Sequence, residues 1–199
     1  MRLKVVVCLF VCSFGLALAT RAQDINKIDI FAGYSYVRAN PANQPDPSQT
    51  PVPQSLPSFN MNGYGGSLAY NFNGRISGVF DFERYITSKL TAPTGNLHGS
   101  MYTFLAGPKL SFRNATRLTP FTQVLVGAAR SDSFVYLTGP QSAFAMTLGG
   151  GLDVRLSHRF SLRPLQADYL LTRYRENVGP SPNRWQNNAR LGVGAVVHF

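Results

Sequence analysis

Eight charged residues could do chemistry together in this chain. Asp81, Glu83, Lys109, Asp153, Arg155, Arg163, Asp168 and Arg190 all fall on the polar parity of segments whose other parity is oily. Side chains alternate between faces along an extended strand, so the eight would look into one shared interior. Charges taken out of water singly are costly, so they are expected to pair across that interior. The chemistry expected is structural, an ionic core that plugs the space. The sharper alternative is an ionic gate, in which exchange of partners opens a narrow pore.

The histidines are His98, His158 and His198. A nucleophile and base within reach of each other are the minimum for covalent catalysis. Only His98, with Ser100, suggests such a pair, and no acidic residue stands close in sequence to orient it. His158 and His198 belong to the opposite end of the molecule. No metal-ligand cluster, phosphate-cradling loop or cofactor motif is present. No catalytic, cofactor-binding or metal residue is therefore assigned, and no enzyme is expected.

The elements that hold these residues read as strands. Asn187 to Phe199 reads NNARLGVGAVVHF, with Ala189, Leu191, Val193, Ala195, Val197 and Phe199 on one parity. Arg190, Gly192, Gly194, Val196 and His198 take the other. Seven similar stretches precede it: Lys27 to Arg38, Asn62 to Phe72, Arg75 to Ile86, Ser100 to Phe112, Thr119 to Ser131, Ala143 to Leu156 and Arg159 to Arg173. Asn73-Gly74 is a hairpin signal between the second and third. The fifth alternates less cleanly, with Gln123, Leu125 and Gly127 opposite Val124, Val126 and Ala128. Pro108 and Pro164 each remove a ladder donor, so each predicts a bulge. Arg84 falls on the oily parity and is expected to snorkel at a rim.

The connections alternate long and short. The long ones run Ala39 to Met61, rich in proline, then Thr87 to Gly99, Asp132 to Ser142 and Tyr174 to Gln186, which carries the single Trp185. Eight antiparallel strands with this rhythm predict an all-β, up-and-down barrel with both termini at one end. A lumen that narrow has room for Gly and Ser but not for rows of Phe and Tyr. The oily parity must then face outward, where only lipid tolerates it, and closure satisfies the backbone groups that hydrocarbon cannot. Tyr36, Tyr64, Tyr70, Phe72, Tyr102, Phe112 and Phe199 would form interfacial girdles.

Composition agrees. Charged residues are 14% of the chain, low for a water-soluble domain, and mean hydropathy is −0.06, so helical spans are not expected. Residues 1–22 read as a signal peptide, with a basic start, an apolar run from Val5 to Ala19, and cleavage between positions 19 and 23. The barrel would occupy 24–199. Cys8 and Cys12 both lie in the leader, leaving the mature chain without thiols. The net charge of +10 is dispersed, with no basic run, so nucleic acid is not an expected partner.

With these features assembled, the chain resembles the small bacterial eight-stranded outer-membrane barrels, the class of the OmpA membrane domain and OmpX. The resemblance rests on the leader, the eight alternating strands, the loop rhythm, MYTFLAGPKLSF, and the closing AVVHF. It implies an outer-membrane location with periplasmic termini, lipid and lipopolysaccharide as surroundings, and a monomer. It also implies that barrel-assembly machinery reads Phe199. The peptidoglycan-binding domain of OmpA has no counterpart before the sequence ends, so cell-wall anchoring is not expected. A structural or surface-interaction role is implied, with a surface adhesin as the alternative and a lipid A-modifying enzyme or small porin behind it.

Overall fold

A computed structural model describes residues 26–40, 58–92, 95–131, 141–174 and 184–199. The leader and most of the first, third and fourth long connections lie outside these residues. Eight strands account for nearly all of what is described: β1 Ile28–Ala39, β2 Phe59–Asn71, β3 Ile76–Ala92, β4 Gly95–Ser111, β5 Leu118–Ser131, β6 Gln141–Arg155, β7 Phe160–Tyr174 and β8 Arg184–His198. They close in sequence order, each antiparallel to the next, with β8 returning to β1. At the seam the Phe199 N–H donates to the Ile28 carbonyl at 2.8 Å, and the Ile28 N–H donates to the Phe199 carbonyl at 3.1 Å. No free edge is left between first and last strands.

The parity reading holds on the outside. Leu68, Phe80, Leu148, Leu165, Leu191 and their row-mates stand outward and about half exposed. A belt of this extent is not a water-facing surface. A closed antiparallel barrel with such an exterior is of the transmembrane kind. Arg84 also stands outward, its Nη1 donating to the Tyr64 hydroxyl at 3.0 Å and its guanidinium 5.4 Å from the Tyr102 ring centre.

Inside, the picture is richer than small residues and charges. Phe31, Tyr85 and Phe121 turn inward and are buried. Glycines make room for them. A Cβ at Gly63 would lie 2.5 Å from the Tyr85 ring, one at Gly33 2.6 Å from Phe31, and one at Gly151 2.8 Å from Phe121. Val37, Met61, Met101, Leu105, Leu125 and Leu170 form, with Tyr85, an apolar cluster in the lumen. This explains the uneven alternation of β5, whose Leu125 faces that cluster.

Three local expectations are corrected or refined. Pro108 produces no bulge. Ala106 pairs with Val126 and Lys109 with Gln123 in unchanged register, so the missing donor leaves a gap in the ladder without an extra residue. Pro164 does mark a bulge, where the β7–β8 register slips between Arg163 and Gln166 and two successive residues face out. The strands also outrun their predicted ends. The β3–β4 ladder continues to Ala92 and Gly95, and Trp185 belongs to β8 rather than to a loop. Backbone pairing carries on past the oily band, where side-chain alternation no longer reports it. Asn73 caps the β2–β3 turn, its Oδ1 accepting from the N–H groups of Arg75 and Ile76 at 2.8 Å each.

Gly63→Val is expected to destabilise the barrel by about 3 kcal/mol, since Tyr85 and Ser35 both stand where the new atoms must go. Gly192→Ala, whose Cβ would meet nothing nearer than 3.6 Å, should be close to neutral. Urea midpoints of the folded protein in detergent would check the pair.

Candidate functional site: the ionic core of the lumen

Strand register decides which charges meet. Arg190 of β8 sits opposite Asp168 of β7, and the curve of the wall brings Asp81 and Glu83 of β3 across the lumen to the same guanidinium. Arg190 Nε donates to Asp168 Oδ2 at 2.8 Å, and Nη2 lies 2.6 Å from the same oxygen. Nη1 lies 3.1 Å from Asp81 Oδ1, 3.3 Å from Glu83 Oε1 and 3.4 Å from the Tyr85 hydroxyl. One fully buried cation therefore holds three carboxylates. Ser35 completes Glu83, donating to Oε2 at 2.5 Å.

The chain of contacts continues through amides. Gln166 Nε2 donates to Asp168 Oδ2 at 2.7 Å, and Gln166 Oε1 accepts from Arg163 Nη1 at 2.9 Å. Arg163 then forks onto Asp153, with Nε to Oδ1 at 2.7 Å and Nη2 to Oδ2 at 3.1 Å. Its guanidinium lies between two rings, 4.4 Å from the Phe31 centre and 4.3 Å from that of Phe121. A planar cation stacked on aromatic faces gains attraction without needing further acceptors.

Six of the eight predicted residues thus join one network: Asp81, Glu83, Asp153, Arg163, Asp168 and Arg190. Lys109 and Arg155 do not pair as expected. Among the described residues neither has an ion-pair partner. Lys109 Nζ instead lies 5.4 Å from the Phe121 ring centre. Register explains this, because both stand toward the end where the termini lie, below the main carboxylate cluster.

That end holds residues the sequence reading left out. Asp29 and His198 are direct partners across β1 and β8, with Oδ1 and Nδ1 2.7 Å apart. His198 Nε2 is 2.7 Å from Ser161 Oγ. Asn71 Nδ2 donates to Asp29 Oδ2 at 3.0 Å, and Arg113 Nη2 lies 3.7 Å from that oxygen. Burial draws the Arg113 guanidinium below its ordinary range, with Asp29 opposing the shift. The signal was available: Asp29 and His198 share the inward parity of strands that must be neighbours once the barrel closes. His98 lies in β4, and its side chain is outside the described residues.

No family model and no curated relative matches the chain. Solved structures do. Neisserial surface protein A aligns at TM-score 0.58 and 16% identity, covering 86% of this chain and 97% of that one. Ail, the attachment invasion locus protein of Yersinia pestis, in complex with the heparin analogue sucrose octasulfate, aligns at 0.54 and 16%, covering 88% and 99%. The outer membrane protein OprG from Pseudomonas aeruginosa aligns at 0.51 and 10%, covering 88% and 96%. The fold is thus that of the eight-stranded outer-membrane β-barrels.

Removing Arg190 alone should leave three buried carboxylates without their cation. Arg190→Met is expected to cost about 3–5 kcal/mol by urea unfolding in detergent. Adding Asp81→Asn and Glu83→Gln should return much of that loss, because the remaining repulsion disappears.

Proposed function

We propose that the protein is an integral outer-membrane barrel with a structural or surface-interaction role, closed to solutes by its own side chains, with both termini in the periplasm. The observation that carries this reading is the buried Arg190 hub, which ties β3, β7 and β8 together across the lumen. The apolar cluster around Tyr85 and Leu125 adds a further layer of packing inside the wall. Lipid and lipopolysaccharide would surround the belt. Phe199, outward and 64% exposed, would be the residue read by assembly machinery. The fold needs no second copy to satisfy its backbone, which favours a monomer.

A second reading, a surface adhesin, is supported by the shared fold with Ail, an attachment protein captured with a heparin analogue. The segments that would make such contacts include 41–57, 132–140 and 175–183, outside the described residues.

Folded protein should run faster unboiled than boiled on a denaturing gel and show no stable large openings in a planar bilayer. Frequent large openings from the unboiled form would remove the closed-lumen reading. Deletion of 41–57 that abolishes binding to heparin-coated beads, with mobility unchanged, would favour the adhesin instead.

A further inference from the structure

Three residues at the terminal end of the barrel stand in the order that activates a hydroxyl. Asp29 contacts His198 Nδ1, and His198 Nε2 contacts Ser161 Oγ, both at 2.7 Å. An ionised carboxylate can only accept, which puts a proton on Nδ1; in the neutral imidazole Nε2 is then the acceptor for the serine O–H. Asp29 is itself fixed by Asn71 through its other oxygen. Nucleophile, base and orienter come from β7, β8 and β1, three adjacent strands of a rigid wall.

The hydroxyl end of this relay faces space. Asp29, His198 and Ser161 line a cavity of about 220 Å³, together with Lys109, Arg113 and Arg155. Lys109 is only 4% exposed and has no ion-pair partner among the described residues. A purely architectural hydrogen-bond chain accounts for the Asp29–His198 contact. It does not account for a serine turned to a cavity beside a buried, unpaired ammonium. The volume lies below the roughly 300–1,000 Å³ of drug-sized ligand pockets, which suits a small molecule.

We propose that Ser161, His198 and Asp29 form a serine esterase site for short esters that carry a carboxylate or phosphate group. Ser161 Oγ attacks the ester carbonyl carbon while its proton passes to His198 Nε2. Lys109 is the cation available to the oxyanion. The bond from carbonyl carbon to leaving oxygen breaks, and the alcohol departs with the proton held by His198. Water then repeats the attack on the acyl-serine, giving up its proton to His198, and the carboxylic acid leaves as Ser161 takes that proton back. Ester and water become acid and alcohol, with no redox change and no cofactor. Asp29 is a positioning residue, and Arg113 and Arg155 hold the substrate's anionic group. From sequence alone no enzyme is expected, and the one nucleophile–base pair it suggests is His98 with Ser100, on β4.

The test uses the full barrel refolded in detergent, with folding checked by gel mobility. A fluorophosphonate probe should give an adduct mapped by peptide mass spectrometry to Ser161, absent in Ser161→Ala. Asp29→Asn and His198→Gln should slow labelling on the order of 100-fold. Hydrolysis of the p-nitrophenyl monoester of succinate should outpace that of p-nitrophenyl acetate, and Arg155→Gln should narrow the ratio. Absence of a Ser161 adduct on folded protein would overturn the proposal, as would labelling indifferent to Asp29→Asn. Equal rates on the two esters would overturn the substrate class. Ser161→Ala removes a single oxygen and leaves the ladder intact, so the comparison survives even if His198→Gln does not fold.

Discussion

A single guanidinium with no access to water organises the interior. Burying an arginine is unfavourable unless its charge is met by partners, and Arg190 meets that need with Asp168, Asp81 and Glu83 from two other strands. The converse holds for the carboxylates. Three of them in one narrow lumen would repel strongly without the cation between them. The arrangement therefore fixes more than charge. It fixes which residues of β3, β7 and β8 stand at the same height, and so discriminates against slipped registers in a sheet whose outer face, mostly oily, would discriminate weakly.

Around that hub the lumen is divided by chemistry. One zone is apolar, with Leu105, Leu125, Leu170 and Tyr85 packed as in a soluble core. The middle is ionic. The terminal end is polar and open enough to hold a cavity. Aromatic rings mark the changes of layer, and each rests where a neighbouring strand carries glycine. The pairing of Phe31 with Gly33 and Gly194, and of Phe121 with Gly151, shows why several glycines stand on the inward parity. They are recesses for rings as much as concessions to a tight cylinder.

Much of the fold could be read directly from residue order, and the reasons are physical. Strand periodicity in β1, β4 and β8 is forced by a wall with lipid on one side, so alternation survives in the sequence. The β7 bulge was legible because Phe160 and Leu165 occupy opposite parities with Pro164 between them. The site was legible only as a set of inward charges. Which of them touch depends on the stagger between strands, and Asp81 and Arg190, 109 residues apart, meet through that stagger alone. Lys109 and Arg155 were misassigned to the network for the same reason. Inward apolar residues such as Leu125 and Val37 were hard to place because a plugged lumen can be greasy too, which blurs the rule that oil faces out.

The hub's cation arrives with β8, the strand that closes the barrel onto β1. Until β8 docks, the unfinished curl presents Asp81, Glu83 and Asp168 to one another with nothing between them, and mutual repulsion should hold its lips apart. Completion of the cylinder and neutralisation of its middle are then one event. An intermediate lacking the final strand has an electrostatic reason to stay gaping, ready for insertion, rather than sealing prematurely into a seven-stranded dead end.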